Sequence, residues 1–189
     1  DGDQIMAGCG LDLRIKGKLP GNTVVATVMS NLGLHVFTKE HGMKLECTAV
    51  GDRNVLERML EMGYAIGGEQ SGHMIFLEHA TTGDGELTAL QMLALLKESG
   101  KKASELFGTC PRYPQVLINV EVPHSGGVKE RVMASEELAA AVKREEDALA
   151  GAGRVLVRAS GTEALIRVMV EARTEEIAGE VAGLALIPI

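Results

Sequence analysis

Tryptophan is absent, and only two Tyr and three Phe occur in 189 residues. The core must therefore rest on aliphatic side chains, and aromatic platforms for stacking bases are excluded as a main device. Positive charge is also scarce. Lys and Arg number 19 against 26 Asp and Glu, for a net charge of −7 and a pI near 5.3. Nucleic-acid backbones are held by clustered cations, so no nucleic-acid partner is expected. Three scattered cysteines, Cys9, Cys47 and Cys110, form no Cys-x-x-Cys. Neither a disulfide framework nor a zinc site follows, and free thiols suit the reducing cytoplasm, the expected location. No apolar run is long enough to span a bilayer, and no membrane partner is expected. The N-terminus, Asp1-Gly-Asp-Gln4, lacks a start Met and does not resemble a signal peptide. The chain is therefore expected to be a fragment of a longer protein, with tag removal or processing as the alternative.

What is present is an alternation of strand and helix. Asp3 is placed to cap a first helix carrying Met6, Cys9 and Leu13 on one face, which Gly8 and Gly10 are expected to weaken. Pro20-Gly21 predicts a turn. Strands are expected over 23–28, 45–50, 64–66 and 74–77. Leu34 and Phe37 mark a short helix. Val55, Leu56, Met59 and Leu60 mark another, ended by Gly63. Leu87, Leu90, Leu93 and Leu96 mark a third, capped by Asp84 and ended by Gly100. This pattern reads as a layered α/β domain over 1–110. Beyond Pro111 and Pro114 the pattern changes. Val116, Ile118, Val120 and Val122 alternate with Leu117, Asn119 and Glu121, as in a strand with one more polar face. His124-Ser-Gly-Gly127 reads as a loop. Ser135 opens a long helix with Glu136 and Glu137 at its positive end. Two strands, 155–157 and 165–170, surround a tight loop, and Thr174 opens a last helix. Residues 111–189 are thus expected to form a small α+β domain.

Two loops carry chemistry. Between the last two strands lie Arg158, Ser160, Gly161 and Thr162. A glycine lets successive N–H groups converge on an anion, hydroxyls add donors, and Arg offers a planar fork suited to phosphate. With Arg154 and Arg167 nearby, cations outnumber the one acid, Glu163, across 154–167. The same residues also suit an ordinary hairpin with exposed arginines. The second loop is Gly67-Gly-Glu-Gln-Ser-Gly-His73. Glu69 accepts, Ser71 donates and accepts, and His73 does either, a set suited to vicinal sugar hydroxyls; a plain tight turn is the alternative. Asp52, in Val50-Gly-Asp-Arg53, is either a helix N-cap or a further sugar contact. In Thr81-Thr-Gly-Asp-Gly85, Asp84 serves most simply as a cap. His35, His41, His79 and His124 show no metal-ligand spacing, and no metal site is expected.

Taken together and in this order, these segments resemble the α-D-phosphohexomutase superfamily. Gly68-Glu-Gln-Ser-Gly-His73 is similar to its sugar-recognition loop in domain 3, and Arg158-Ala-Ser-Gly-Thr-Glu163 to its phosphate-binding loop in domain 4. Within the superfamily, several stretches resemble the phosphoglucosamine mutases: Asp1-Gly-Asp-Gln-Ile-Met6, Thr27-Val-Met-Ser-Asn-Leu-Gly33, Val50-Gly-Asp-Arg53, Thr81-Thr-Gly-Asp-Gly85 and Tyr113-Pro-Gln115. The resemblance covers essentially the whole chain.

The resemblance implies an α/β domain 3 with a mixed sheet, followed by an α+β domain 4 with an antiparallel sheet and two helices. It implies a full enzyme that interconverts glucosamine 6-phosphate and glucosamine 1-phosphate through a bisphosphorylated sugar. The phosphate that is not being transferred would be held by Arg158, Ser160, Gly161 and Thr162, with Arg167 adding charge. Glu69, Ser71, His73 and Asp52 would meet the sugar, His73 being a candidate proton carrier. The family's phosphoserine and its magnesium loop, of the form Asp-x-Asp-x-Asp-Arg, belong to domains 1 and 2. Asp1-Gly-Asp3 lacks the third Asp and the Arg of that loop. Magnesium is thus expected for the full enzyme only, and this chain is expected to be inactive without the missing domains. A homodimer is allowed. Two departures stand out: Ala164 where the family usually has Pro, and Gly8 and Gly10, which predict a frayed first helix. A phosphomannomutase/phosphoglucomutase fragment and a non-catalytic phosphosugar-binding module are the alternatives.

Overall fold

The computed structural model describes residues 1–123 and 126–185. Of the His124–Gly127 loop and the tail from Leu184, His124, Ser125 and residues 186–189 lie outside the described residues. The chain divides into two compact units, Asp1–Arg112 and Tyr113–Ile189. No helix among the described residues is long and apolar enough to cross a membrane.

The first unit holds α1 (Gly2–Ile15), β1 (Thr23–Thr27), α2 (Leu32–Glu40), β2 (Lys44–Thr48), α3 (Asp52–Met62), β3 (Ile66–Gly68), β4 (Met74–Phe76), α4 (Gly85–Ser99) and α5 (Ala103–Leu106). Its sheet runs β2-β1-β3-β4, parallel except for β4. The β-branched run of β1 is buried at every position, as a central parallel strand must be. Alternation along β1 divides the core. Val24 and Ala26 face a cluster with Met6, Leu34, Phe37 and Leu95, whereas Val25 faces Val55 and Met59 of α3. Helices thus cover both faces. Crossovers on opposite faces carry the chain from β1 to β2 and then back past β1 to β3, which places a switch in winding direction at β1.

Four expectations are corrected. Asp1, not Asp3, caps α1, in a reciprocal capping box with Gln4. Asp3 is instead buried, and its Oδ2 accepts the Asn31 N–H at 2.7 Å. The first helix is continuous rather than frayed. Gly8 and Gly10 are contact points: a Cβ at Gly8 would lie 2.6 Å from the Phe107 ring, and one at Gly10 2.8 Å from Val24 Cγ2. The third strand begins at Ile66, not Tyr64. In α4, Leu90 and Leu93 are 64% and 60% exposed. A spacing of three drifts by about 60° per step around a helix, so such a stripe cannot stay on one face. Thr88 and Leu95 hold the buried face instead, flanked by Leu87 and Leu96.

The second unit holds β5 (Gln115–Glu121), α6 (Val128–Met133), α7 (Glu136–Leu149), β6 (Arg154–Ala159), β7 (Leu165–Glu171) and α8 (Glu175–Ala185). Its antiparallel sheet is ordered β5-β7-β6. Val155, Val168 and Val170 pack with Ala178, Val181 and Ala182 of α8. Ser135 caps α7 by accepting the Leu138 N–H, as its sequence predicts. The short helix α6 was not expected.

Candidate functional site

In the first unit, the carboxyl ends of the parallel strands carry the sugar-type loop. The β3–β4 hairpin pairs Gly68 with Met74, and its turn closes through Glu69 N–H to His73 O at 2.9 Å and Gly72 N–H to Glu69 O at 2.9 Å. The loop is held from outside as well. The Gly2 N–H donates to Gln70 O at 3.0 Å, and the Gly51 N–H donates to Glu69 Oε1 at 3.0 Å. Glu69 is half-buried and Ser71 exposed. Both line a depression of about 510 Å³ with Thr27 at the end of β1, Met29 beyond it, Val50 after β2, and Arg112. This is the crevice at the carboxyl ends of strands, beside a switch in winding, where open α/β sheets bind ligands.

His73 and Asp52 are not brought into that depression. His73 is exposed and its ring packs beside Gly83, where a Cβ would meet it at 2.9 Å. Asp52 is exposed at the first position of α3, and its Oδ1 accepts the N–H of Arg53. The N-cap is Gly51, at φ 123°, so the capping reading of Asp52 is corrected. Asp84 does cap α4, through Leu87 N–H at 2.9 Å. The two leading glycines of the loop motif have a structural use. A Cβ on Gly67 would sit 2.7 Å from Met59 Sδ, and one on Gly68 2.4 Å from His73 O. Arg112, the cation of this depression, went unnoticed in the sequence because it lies in an irregular stretch with no spacing to mark it.

In the second unit, Arg158 and Arg167 are directly opposed in the β6–β7 ladder. Like charges opposed in this way are destabilising. Burial, and secondarily Arg167, lower the pKa of the Arg158 guanidinium from its ordinary value. Arg167 is neutralised within the loop, donating to Glu163 Oε2 at 2.6 Å. Arg158 has no ion pair among the described residues, so it is the free cation of the pair. Ser160 is buried and its Oγ accepts the Glu163 N–H at 3.2 Å, tightening the turn. Thr162 and Gly161 are exposed. Gly161 does not adopt a positive φ, and a Cβ there would meet nothing. Its lack of a side chain leaves open backbone. The N–H groups of Gly161, Thr162 and Ala164 have no protein acceptor among the described residues. Three free N–H groups beside an unpaired Arg suit an anion. Sequence reasoning also missed Lys129. Its Nζ donates to Ser160 O at 2.8 Å and Glu163 O at 3.0 Å across 31 and 34 residues, a separation no local pattern signals.

Residues 1–113 match the sequence model "Phosphoglucomutase/phosphomannomutase, alpha/beta/alpha domain III", and residues 117–184 match that of the family's C-terminal domain. The chain belongs to the phosphoglucomutase/phosphomannomutase family. Within that family, it is 53% identical over 188 residues to the phosphoglucosamine mutase of Caldanaerobacter subterraneus subsp. tengcongensis, covering 97% of this chain and 42% of the relative. It is 55% identical over 177 residues to that of Ruminiclostridium cellulolyticum, covering 94% and 39%. The N-acetylphosphoglucosamine mutase of Aspergillus fumigatus has the same fold, with a TM-score of 0.78 at 22% identity over 98% of this chain and 42% of that one. A second structure of that enzyme, in complex with GlcNAc-6P and magnesium, gives 0.71 at 22% identity, covering 98% and 46%. This family member thus spans about two fifths of the length of its curated relatives.

Proposed function

We propose that this chain is the sugar- and phosphate-binding half of a phosphoglucosamine mutase that interconverts glucosamine 6-phosphate and glucosamine 1-phosphate. The observation that carries the reading is identity above one half to phosphoglucosamine mutases across more than nine tenths of the chain. The geometry supports the following roles. Glu69 and Ser71, at the carboxyl edge of the parallel sheet, take the sugar hydroxyls. Arg158 and the free N–H groups of 161, 162 and 164 take the phosphate that does not react. Phosphoryl transfer rests on positioning and charge stabilisation, so a fixed grip on the idle phosphate lowers the barrier at the reacting end.

Among the described residues no group of three or more His, Cys, Asp or Glu is placed to hold a metal ion. Asp1 is taken up by its cap and Asp3 by the Asn31 N–H. We assign magnesium and the phosphoserine to the family's other domains.

A substrate panel tests the reading. The chain joined to the family's first two domains is expected to favour glucosamine 6-phosphate over glucose and mannose 6-phosphates in kcat/KM, and the chain alone to show no turnover. Preference for mannose or glucose phosphates would move the assignment to phosphomannomutase/phosphoglucomutase. Turnover by the chain alone would overturn the division of roles.

A further inference from the structure

We propose that Lys129 is a positioning residue of the 158–164 loop, aiming the loop's free N–H groups from behind without touching the ligand. This rests on the phosphate reading of that loop. The half-buried Lys129 commits two of its three ammonium donors to the carbonyls of Ser160 and Glu163. Those carbonyls belong to the peptide groups that lead into Gly161 and Ala164. A peptide is planar and trans, so its N–H points opposite to its C=O. Drawing both oxygens towards Lys129 therefore turns the Gly161 and Ala164 N–H groups away from it, and neither has a protein acceptor among the described residues.

The arrangement answers a weakness of the loop. Gly161 leaves the backbone open to a ligand, but a glycine also lowers the barrier to turning the adjoining peptide plane. A Cβ there would meet nothing, so no packing restrains it. The Lys129 bond to the Ser160 carbonyl does. The brace also places a cation under a loop whose second arginine, Arg167, is already neutralised by Glu163. Lys129 reaches the loop from α6, which follows Gly126 and Gly127, both at positive φ.

The test combines proton–nitrogen NMR of the unliganded chain with calorimetric titration of glucosamine 6-phosphate and of inorganic phosphate. The variants are Lys129→Met, Lys129→Arg and Arg158→Ala. Lys129→Met is expected to move the Gly161 and Ala164 amide resonances and speed their hydrogen exchange while the rest of the spectrum stays folded. It should weaken phosphosugar binding about tenfold or more, the size of losing charge-assisted bonds to two carbonyls. Lys129→Arg, which keeps donors for both oxygens, should restore the amides and most of the affinity.

Unmoved amides in Lys129→Met overturn the proposal whatever the affinities. Lost binding with unmoved amides would make Lys129 a direct ligand instead. If Arg158→Ala loses binding while Lys129→Met binds like wild type, the positioning role fails and the phosphate loop stands. If wild type and Arg158→Ala bind alike, the phosphate reading itself fails.

Discussion

Replacing Gly67 by Ala puts a methyl group where the sheet and α3 meet. Its Cβ would lie 2.7 Å from Met59 Sδ, 2.8 Å from Val55 Cγ1 and 2.9 Å from the Val25 carbonyl oxygen. The first two neighbours are side chains and can shift a little. The third is backbone of β1, whose ladders to β2 and β3 fix it on both sides. Overpacking of this kind costs about 1–3 kcal/mol. Ala gains back roughly 0.5–1 kcal/mol over Gly within a strand, which does not cancel a backbone contact. The expected net loss is about 1–2 kcal/mol, read as a melting temperature lower by roughly 5–15 °C for a unit of this size. Circular dichroism gives the melting curve, and amide exchange tells the units apart: 23–27 of β1 should exchange faster, while 165–171 of β7 should not. Unchanged melting and β1 exchange would refute the packing of Gly67 beneath α3, and with it the explanation of why the loop motif opens on two glycines.

Three further outcomes follow from named residues. Gly179 lies exposed within α8, and a Cβ there meets nothing, so Gly179→Ala should stabilise the second unit by roughly 0.5–1 kcal/mol in urea unfolding. Cys47 is exposed, so a thiol reagent at pH 8 should label one thiol per folded chain and all three only after denaturation. Burial, helped by Asp12, pushes the Cys9 thiol up to about 12; burial, helped by Asp3, does the same to Cys110. Both folded values lie above that of a free thiol. Their contribution is therefore fully present below about pH 8.5 and lost as pH rises towards 12. Denaturant titrations across that range should show falling stability, with a shallower slope in Cys9→Ala.

Much of the fold was legible because each element obeys its own periodicity. β1 is a β-branched run, α3 and α4 end on left-handed Gly63 and Gly100, and Ser135 and Asp84 cap as their spacing suggests. What escaped depends on contacts distant in sequence. Gly8 and Gly10 read as helix breakers because Phe107 and Val24, which they abut, are far along the chain. Asp3 read as a cap because its true partner, Asn31, lies 28 residues away. The site divides in the same way. Residue types marked both loops, but not the hold of Gly51 on Glu69 or of Lys129 on Ser160 and Glu163. Nor did types alone separate Arg158, which has no ion pair among the described residues, from Arg167, which Glu163 neutralises.

The central claim is that the 158–164 loop grips phosphate. Calorimetric titration of wild type and Arg158→Ala with glucosamine 6-phosphate, with unphosphorylated glucosamine as control, tests it most directly. Removing a charge-assisted fork costs about 1.5–3 kcal/mol, or roughly ten- to a hundredfold in Kd. The prediction is weak binding of glucosamine 6-phosphate by wild type, none measurable by Arg158→Ala, and none of glucosamine by either. Equal binding of glucosamine 6-phosphate by wild type and Arg158→Ala would contradict it.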